Sequence, residues 1–353
     1  MTADHEAGIG ETLTMAARPV PLAEAEVLAR EHYGLSAIAH PLSSERDQNF
    51  HLKAEDGRDY VLKITHPAED RRVSDMQTQA LLHAASVNPD LPIQHVVRAR
   101  NGQPELSLPF SGDSAIRVVR IVTFTQGEPL HKVQRTSAQR RDLGRSLARL
   151  GLALRGFFHP AAGHDLLWDL KQASRVREIL VHIQDSGRRA LATRFLDNFE
   201  HHALPLLPGL RAQVIHNDLN PHNVLVRPDD HDRVAGILDF GDLVHAPLIC
   251  DVAVAAAYQL SEVGNPLEAA VDFVAAYHAV APLERAEIDL LFDLIATRLV
   301  LIVAISGWRA STHPENRDYI LRNNPAAWSG LERLAGLSRQ EAQAFLRRAC
   351  DME

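Results

Sequence analysis

Cysteine is nearly absent from this chain. Two thiols, Cys250 and Cys350, in 353 residues cannot build a disulfide framework or a zinc cluster, and their scarcity points to a reducing compartment, the cytoplasm. Positive charge is in the minority: 37 Lys and Arg stand against 45 Asp and Glu, a formal net charge of −8. A surface built to follow phosphodiester backbones or anionic lipid needs concentrated Lys and Arg, so nucleic-acid and membrane partners are excluded. A small molecule, amine-bearing by charge complementarity, is the expected partner. The opening MTADHEAGIGETL lacks the basic start and apolar run of a secretory signal, and residues 1–20 read as a disordered lead. No uninterrupted membrane-length apolar run exists either. The most apolar stretch, 290–308, carries Asp293 and Arg298 inside it and reads as a buried helix. Repeats and low-complexity tracts are also missing.

What is present is enough apolar material, 46% of the residues, for two lobes that each bury a core. The first, 21–126, reads as β-rich with one main helix. After a helix near 22–33, residues 48–65 alternate apolar and polar on both sides of Asp56-Gly57, a β-hairpin pattern. Its second strand sets Val61 and Lys63 on the face opposite Tyr60, Leu62 and Ile64, and a lysine in so apolar a strand needs an anionic partner. A helix over 72–86 and strand-like segments near 96–98, 106–109 and 115–124 complete this part. From residue 127 to 353 the chain reads as mostly helical, starting with Leu143, Leu147, Leu150 and Leu154 at spacings of three and four. The exceptions are short β-branched runs at 214–216, 223–226 and 235–240. Amphipathic segments follow near 266–280, 284–308 and 338–350, the last opened by a Ser338/Glu341 capping box. A β-rich lobe, a hinge and a helical lobe bearing a polar loop make an α+β bilobal architecture with a ligand cleft.

The polar residues gather on the β-branched runs. VIHNDLNPHNVLV holds His216, Asp218 and Asn223, and GILDFGD holds Asp239 and Asp242. Phosphoryl transfer needs a carboxylate aimed at the attacking hydroxyl and oxygen ligands for a magnesium ion that bridges nucleotide phosphates. An Asp followed five residues later by an Asn can place a base on one limb of a loop and an amide ligand on the other. A second carboxylate on the next strand suffices for magnesium, which takes its remaining ligands from phosphates and water.

The order strand lysine, HxDxxxxN, DFG resembles the protein-kinase signature set, and HNDLNPHN with DFGD resembles the aminoglycoside phosphotransferase and choline kinase branch. The resemblance is clearest over 41–258. Within that branch, SERDQNF, HPAEDRRVSDMQTQALLH and NPAAWSGLERL are similar to hydroxylysine kinases and related phosphotransferase domains, with homoserine kinases close behind. The resemblance implies a protein-kinase-like fold and transfer of the γ-phosphate of ATP or GTP, with Mg2+, to a hydroxyl of a hydroxylated amino acid or amino alcohol. The acceptor it implies is 5-hydroxylysine first and homoserine second, with aminoglycoside or choline as the alternative; the Gly-free turn at 44–50 and Gln77 keep a nucleotide-binding pseudokinase as the non-catalytic reading.

Carried over by position, Asp218 is the catalytic base, Asn223 and Asp239 are the magnesium ligands, and Lys63 binds the α- and β-phosphates. His216 orients the loop, Asn220 touches the γ-phosphate, and Asp251 braces the loop through backbone N–H groups. Ser44 and Asn49 belong to the turn over the phosphates; Thr123, Phe124 and Thr125 belong to the hinge that reads the purine. Asp242, Arg298 and Trp308 are candidates for the acceptor pocket, with Arg298 alternatively a structural ion-pair partner. Three departures stand out. Asn217 occupies a place where many relatives have Gly, a backbone position Asn can also adopt. The turn SSERDQNF has no Gly. Gln77 falls where an acid should pair with Lys63, so Gln77, Glu69 or Asp75 takes that role.

Overall fold

The computed structural model describes residues 18–42, 47–110 and 116–352. Ser44 and most of the proposed lead therefore lie outside the described residues. The chain divides into two compact units: one ends at Gln126 and also takes in His159–His164, and the other comprises Gly127–Phe158 and Asp165 onward.

The first unit is an antiparallel sheet with one long helix. Helix α1 (Leu22–Leu28) runs on as a π-wound turn, Ala29–Tyr33, and stops at Gly34 with φ 73°. Strands β1 (Ala37–Leu42), β2 (Gln48–Ala54) and β3 (Asp59–Ile64) follow, then α2 (Arg71–Val87), capped by the Asp70 carboxylate on the Arg72 N–H. Strands β4 (Val96–Val97), β5 (Leu106–Pro109) and β6 (Ile116–Thr123) complete the sheet in the order β1-β2-β3-β6-β4, with β5 also on β6. The hairpin expected at Asp56-Gly57 is the β2–β3 turn, with Gly57 at φ 80°. Register sorts the side chains by face. Phe50, Leu62 and Ile121 stand in one row across three strands and enter the core with Tyr33, Leu52 and Ile64. Asn49, Lys63 and Arg120 form the adjacent row on the opposite face, where Arg120 meets α2.

The second unit is helical except where it carries polar loops. A short β7 (Glu128–Pro129) precedes α3 (Ser137–Leu154), capped by Thr136. A 3-10-wound segment, Leu170–His182, and α4 (Ser186–Asn198) lead to β8 (Ala212–Ile215), β9 (Val224–Arg227), β10 (Asp230–Ile237) and β11 (Val244–Pro247). Then come α5 (Leu248–Ala257), α6 (Glu268–His278), α7 (Arg285–Thr312), α8 (Asn324–Leu334) and α9 (Arg339–Ala349). The stretch expected to be a buried helix, 290–308, lies within α7 and is buried without a break from Leu290 to Ser306. Among the described residues no helix is long and apolar enough to cross a membrane. Helix α7 opens with a Glu284/Glu287 capping box, and α9 with the Ser338/Glu341 box read from sequence. Helix α3 packs against α6 so closely at Gly144 that a Cβ there would collide with the Phe273 carbonyl oxygen.

Candidate active site

Two antiparallel pairings bring the polar loops together. Ile215, the last residue of β8, pairs with Val244 of β11, while Val224, the first of β9, pairs with Ile237 of β10. Residues 216–223 and 238–243 therefore emerge from the same end of neighbouring ribbons, and the Leu238 N–H donates to the Asn223 carbonyl at 2.8 Å across the gap. Asp218, Asn220, Asn223 and Asp239 all belong to this junction.

The loop is held in shape by its own residues and by a brace from below. Asn217 has φ 63°, the left-handed backbone that its Gly-like position requires, and Asp239 has φ 58°. The Asp251 carboxylate, in the first turn of α5, accepts the N–H of Asn217 at 2.8 Å and of His216 at 3.3 Å. Such charge-assisted bonds are stronger than neutral ones. His216 is fully buried; its Nδ1 accepts the Asp218 N–H at 3.3 Å, which assigns the ring proton to Nε2, 3.0 Å from the Leu238 carbonyl. Burial pushes its pKa below the usual histidine value, so the ring is a neutral strut joining the two loops, and Phe240 packs edge-on against it.

Asp218 itself is gripped from two sides. Its Oδ2 receives Asn223 Nδ2 at 2.7 Å and Asn220 Nδ2 at 2.9 Å, and its Oδ1 receives Arg298 Nη2 at 2.8 Å. Its side chain keeps 19% exposure, whereas Arg298 is 2% exposed. Burial pushes the Asp218 carboxyl up to about 6, against the lowering pull of Arg298 and the Asn220 and Asn223 amides. Because Nδ2 of Asn223 is spent on Asp218, its amide oxygen is the atom turned to other duties. Asp239 is exposed, with its Oδ1 accepting the Gly241 N–H at 3.0 Å, and a Cβ on Gly241 would stand 2.9 Å from that oxygen. An amide oxygen and a carboxylate, both hard donors, fit a cation that completes its shell from phosphates and water. Among the described residues, no group of three His, Cys, Asp and Glu side chains is placed to hold a metal.

Arg298 comes from the middle of α7, and its surroundings were not legible from the sequence. Its guanidinium lies over the Trp168 ring, 5.0 Å from the centroid, with the Trp168 carbonyl at 3.5 Å and the Tyr258 hydroxyl as another partner. Asp242 is close enough to stabilise its charge. Trp308 sits ten residues further along α7, about 15 Å away by helical rise, so Arg298 and Trp308 are not neighbours.

In the first unit, Lys63 is half-buried on the α2 face of the sheet. Gln77 on α2 accepts from Arg120 Nη2 at 2.5 Å, and Asp75 pairs with His159 at 3.0 Å. Asn49, in register with Lys63, has its Oδ1 buried without a hydrogen bond. At the hinge the Thr123 N–H donates to the His95 carbonyl and the Phe124 N–H to the Asp59 carbonyl, with Phe124 stacked on His51 at 4.1 Å. Thr125 follows on the same half-buried strand end.

A sheet unit with one long helix, followed by a helical unit that carries an HxDxxxxN loop beside a DFG turn, defines the protein-kinase-like fold. The chain is similar over nearly its whole length to solved members of that fold. A microcompartment-associated aminopropanol kinase superposes with a TM-score of 0.65 at 20% identity, covering 94% of this chain and 99% of that one. An amicoumacin kinase in complex with AMP-PNP, Ca2+ and Ami gives 0.64 at 13% identity, covering 96% and 99%. The hydroxylysine kinase of Mus musculus is 25% identical over 359 residues, 95% of each chain, and that of Danio rerio 28% identical over 327 residues, 88% of this chain and 90% of that one. The defining pattern of the phosphotransferase enzyme family matches residues 38–291, and the chain belongs to that family. It is a small-molecule kinase, a phosphotransferase whose acceptor is an alcohol.

Proposed function

We propose that this kinase phosphorylates the side-chain hydroxyl of a hydroxylated amino acid, 5-hydroxylysine foremost and homoserine next, using the γ-phosphate of ATP or GTP with Mg2+. The similarity to hydroxylysine kinases over 88% to 95% of the chain supports the acceptor class. The AMP-PNP and Ca2+ of the amicoumacin kinase complex support a nucleotide donor and a divalent ion. The observation that carries the reading is the grip on Asp218: a carboxylate fixed at both oxygens, beside an amide and a second carboxylate suited to a hard cation.

In this reading Asp218 accepts the proton of the acceptor hydroxyl as the new O–P bond forms and the bond from the γ-phosphorus to the β–γ bridging oxygen breaks. Asn223, through its amide oxygen, and Asp239 hold the metal, which neutralises phosphate charge when bound. Asn220 stands by the γ-phosphate, and His216 and Asp251 keep the loop rigid. Lys63 takes the α- and β-phosphates, with Asn49, its neighbour on strand β2 rather than part of a turn, beside it; the contact of Ser44 with the phosphates rests on the resemblance alone. Since the N–H groups of Thr123 and Phe124 are already engaged, the purine is read through the Phe124 carbonyl and Thr125. Asp242 offers a carboxylate for the acceptor's ammonium.

The test is phosphate release and transfer measured across 5-hydroxylysine, homoserine, choline, ethanolamine and an aminoglycoside, each with ATP and GTP. A kcat/KM for 5-hydroxylysine or homoserine at least about a hundredfold above the others is expected. Preference for choline or an aminoglycoside overturns the acceptor class, and absence of transfer with every acceptor and nucleotide points to a pseudokinase.

A further inference from the structure

A carboxylate that takes a proton from an attacking hydroxyl must hold one rotamer, because a misplacement of about 1 Å costs on the order of 100-fold in rate. Asn220 and Asn223 bind Oδ2 of Asp218, but both lie on the same loop and move with it. Arg298 binds Oδ1 from a different element, the buried core helix α7.

We propose that Arg298, with Nη2 2.8 Å from Asp218 Oδ1, is the positioning residue that aims this carboxylate at the acceptor hydroxyl. The inference rests on the reading of Asp218 as the base. Three features support it. The guanidinium is itself locked: it lies over the Trp168 ring, reaches the Trp168 carbonyl and bonds the Tyr258 hydroxyl. The other buried charges of its helix, Glu287 and Asp293, are answered by the part-exposed Arg211 and Arg339, whereas Arg298 spends its charge on the carboxylate of the 216–223 loop; since a buried ion pair as a whole adds little net stability over apolar packing, that choice of partner serves the loop's geometry. Finally, an ionised carboxylate oxygen offers two lone-pair sites. With one on Oδ1 taken by Arg298 and Oδ2 filled by two amides, the second site of Oδ1 is where the hydroxyl proton arrives. Arg298 thereby fixes the direction of approach without touching the acceptor.

The experiment compares kcat and KM for acceptor and nucleotide in Arg298→Gln and Arg298→Met, each alone and combined with Asp218→Asn, following residual turnover by transfer of radiolabelled γ-phosphate. Expected are a kcat lowered by roughly 100-fold, an unchanged nucleotide KM, and less than about a twofold further loss on the Asp218→Asn background, since residues acting as a unit are non-additive. The same fold loss on both backgrounds, or wild-type kcat in Arg298→Gln, overturns the proposal. Wild-type kcat in Asp218→Asn sinks the base reading instead, which separates the two failures. Should the neutral variants not fold, Arg298→Lys decides. A single ammonium cannot grip Asp218, the Trp168 carbonyl and Tyr258 together, so a kcat reduced about tenfold is expected and wild-type kcat overturns.

Discussion

The Asp251 carboxylate accepts the backbone N–H of Asn217 at 2.8 Å, tying the first turn of α5 to the residue just before Asp218. A second bond, from the His216 N–H at 3.3 Å, makes the brace two-pronged. Both oxygens of Asp251 are thus acceptors, and an amide in their place offers one acceptor and one clashing donor. Asp251→Asn is expected to lose about 1.5–3 kcal/mol of stability, the worth of hydrogen bonds to a charged group. It should also lower kcat by at least about tenfold while leaving nucleotide KM near its wild-type value. Thermal melts and initial rates on the same preparation check both.

Asn217 presents the opposite case. Its side-chain amide is buried with neither Oδ1 nor Nδ2 hydrogen-bonded, and its backbone is left-handed. Glycine removes both the orphaned amide, worth about 1–3 kcal/mol when buried, and the steric cost of a Cβ at positive φ. The small void left behind offsets part of the gain. Asn217→Gly is expected to raise Tm by about 1–3 °C, read by calorimetry; a lower Tm would show that the amide has a buried partner.

The legible parts of this protein were those whose cause is local in sequence. Asp56-Gly57 between alternating runs produced the β2–β3 hairpin, and Ser338 with Glu341 produced a capping box; the positive φ of Asn217 was implied by the resemblance, which sets it where many relatives have Gly. Asp251 as the brace was legible only through the resemblance, which implied its bonds to backbone N–H groups of the loop. What was not legible depends on long-range packing. The 3-10-wound segment Leu170–His182 carries no clean period, so the stretch that delivers Trp168 to Arg298 gave no signal. Arg298 could be read as pocket wall or ion-pair partner, but its partner is 80 positions away, and only the folded α7 chooses Asp218. In the same way Gln77, Glu69 and Asp75 stood as alternative partners of Lys63, and only the fold gives Gln77 to Arg120, one strand further on.

The raised pKa of Asp218 sets a pH dependence. The carboxyl titrates at about 6, above its ordinary 3.8, and only the ionised form can take a proton. Below pH about 6, kcat/KM for the acceptor is expected to fall about tenfold per unit. The sign of the stability effect is the reverse. A carboxyl with a raised folded-state pKa contributes stability that is complete below its unfolded value and lost as pH rises through about 6. The Tm of Asp218→Asn relative to wild type should therefore improve as pH climbs from about 4 to about 7. A pH–rate profile without an acid limb near 6 removes Asp218 as the titrating base.

Gln77 gives a prediction that separates two partners. Its Oε1 accepts from Arg120 Nη2 at 2.5 Å, while Nη1 of the same guanidinium bonds the Ser74 carbonyl at 3.0 Å and Thr78 Oγ1 at 3.1 Å. Arg120 is 2% exposed, so removing one acceptor leaves part of a buried cation without compensation. Gln77→Leu is expected to cost about 1.5–3 kcal/mol, whereas Gln77→Glu keeps the acceptor, adds the opposite charge and should melt at or above the wild-type temperature. If Gln77 served Lys63 instead, Gln77→Leu would weaken nucleotide binding through the phosphates. Because its oxygen is committed to Arg120, nucleotide KM should move by less than about threefold. Melting curves and nucleotide titrations on the two variants distinguish the outcomes: a large rise in KM at constant Tm would assign Gln77 to the lysine.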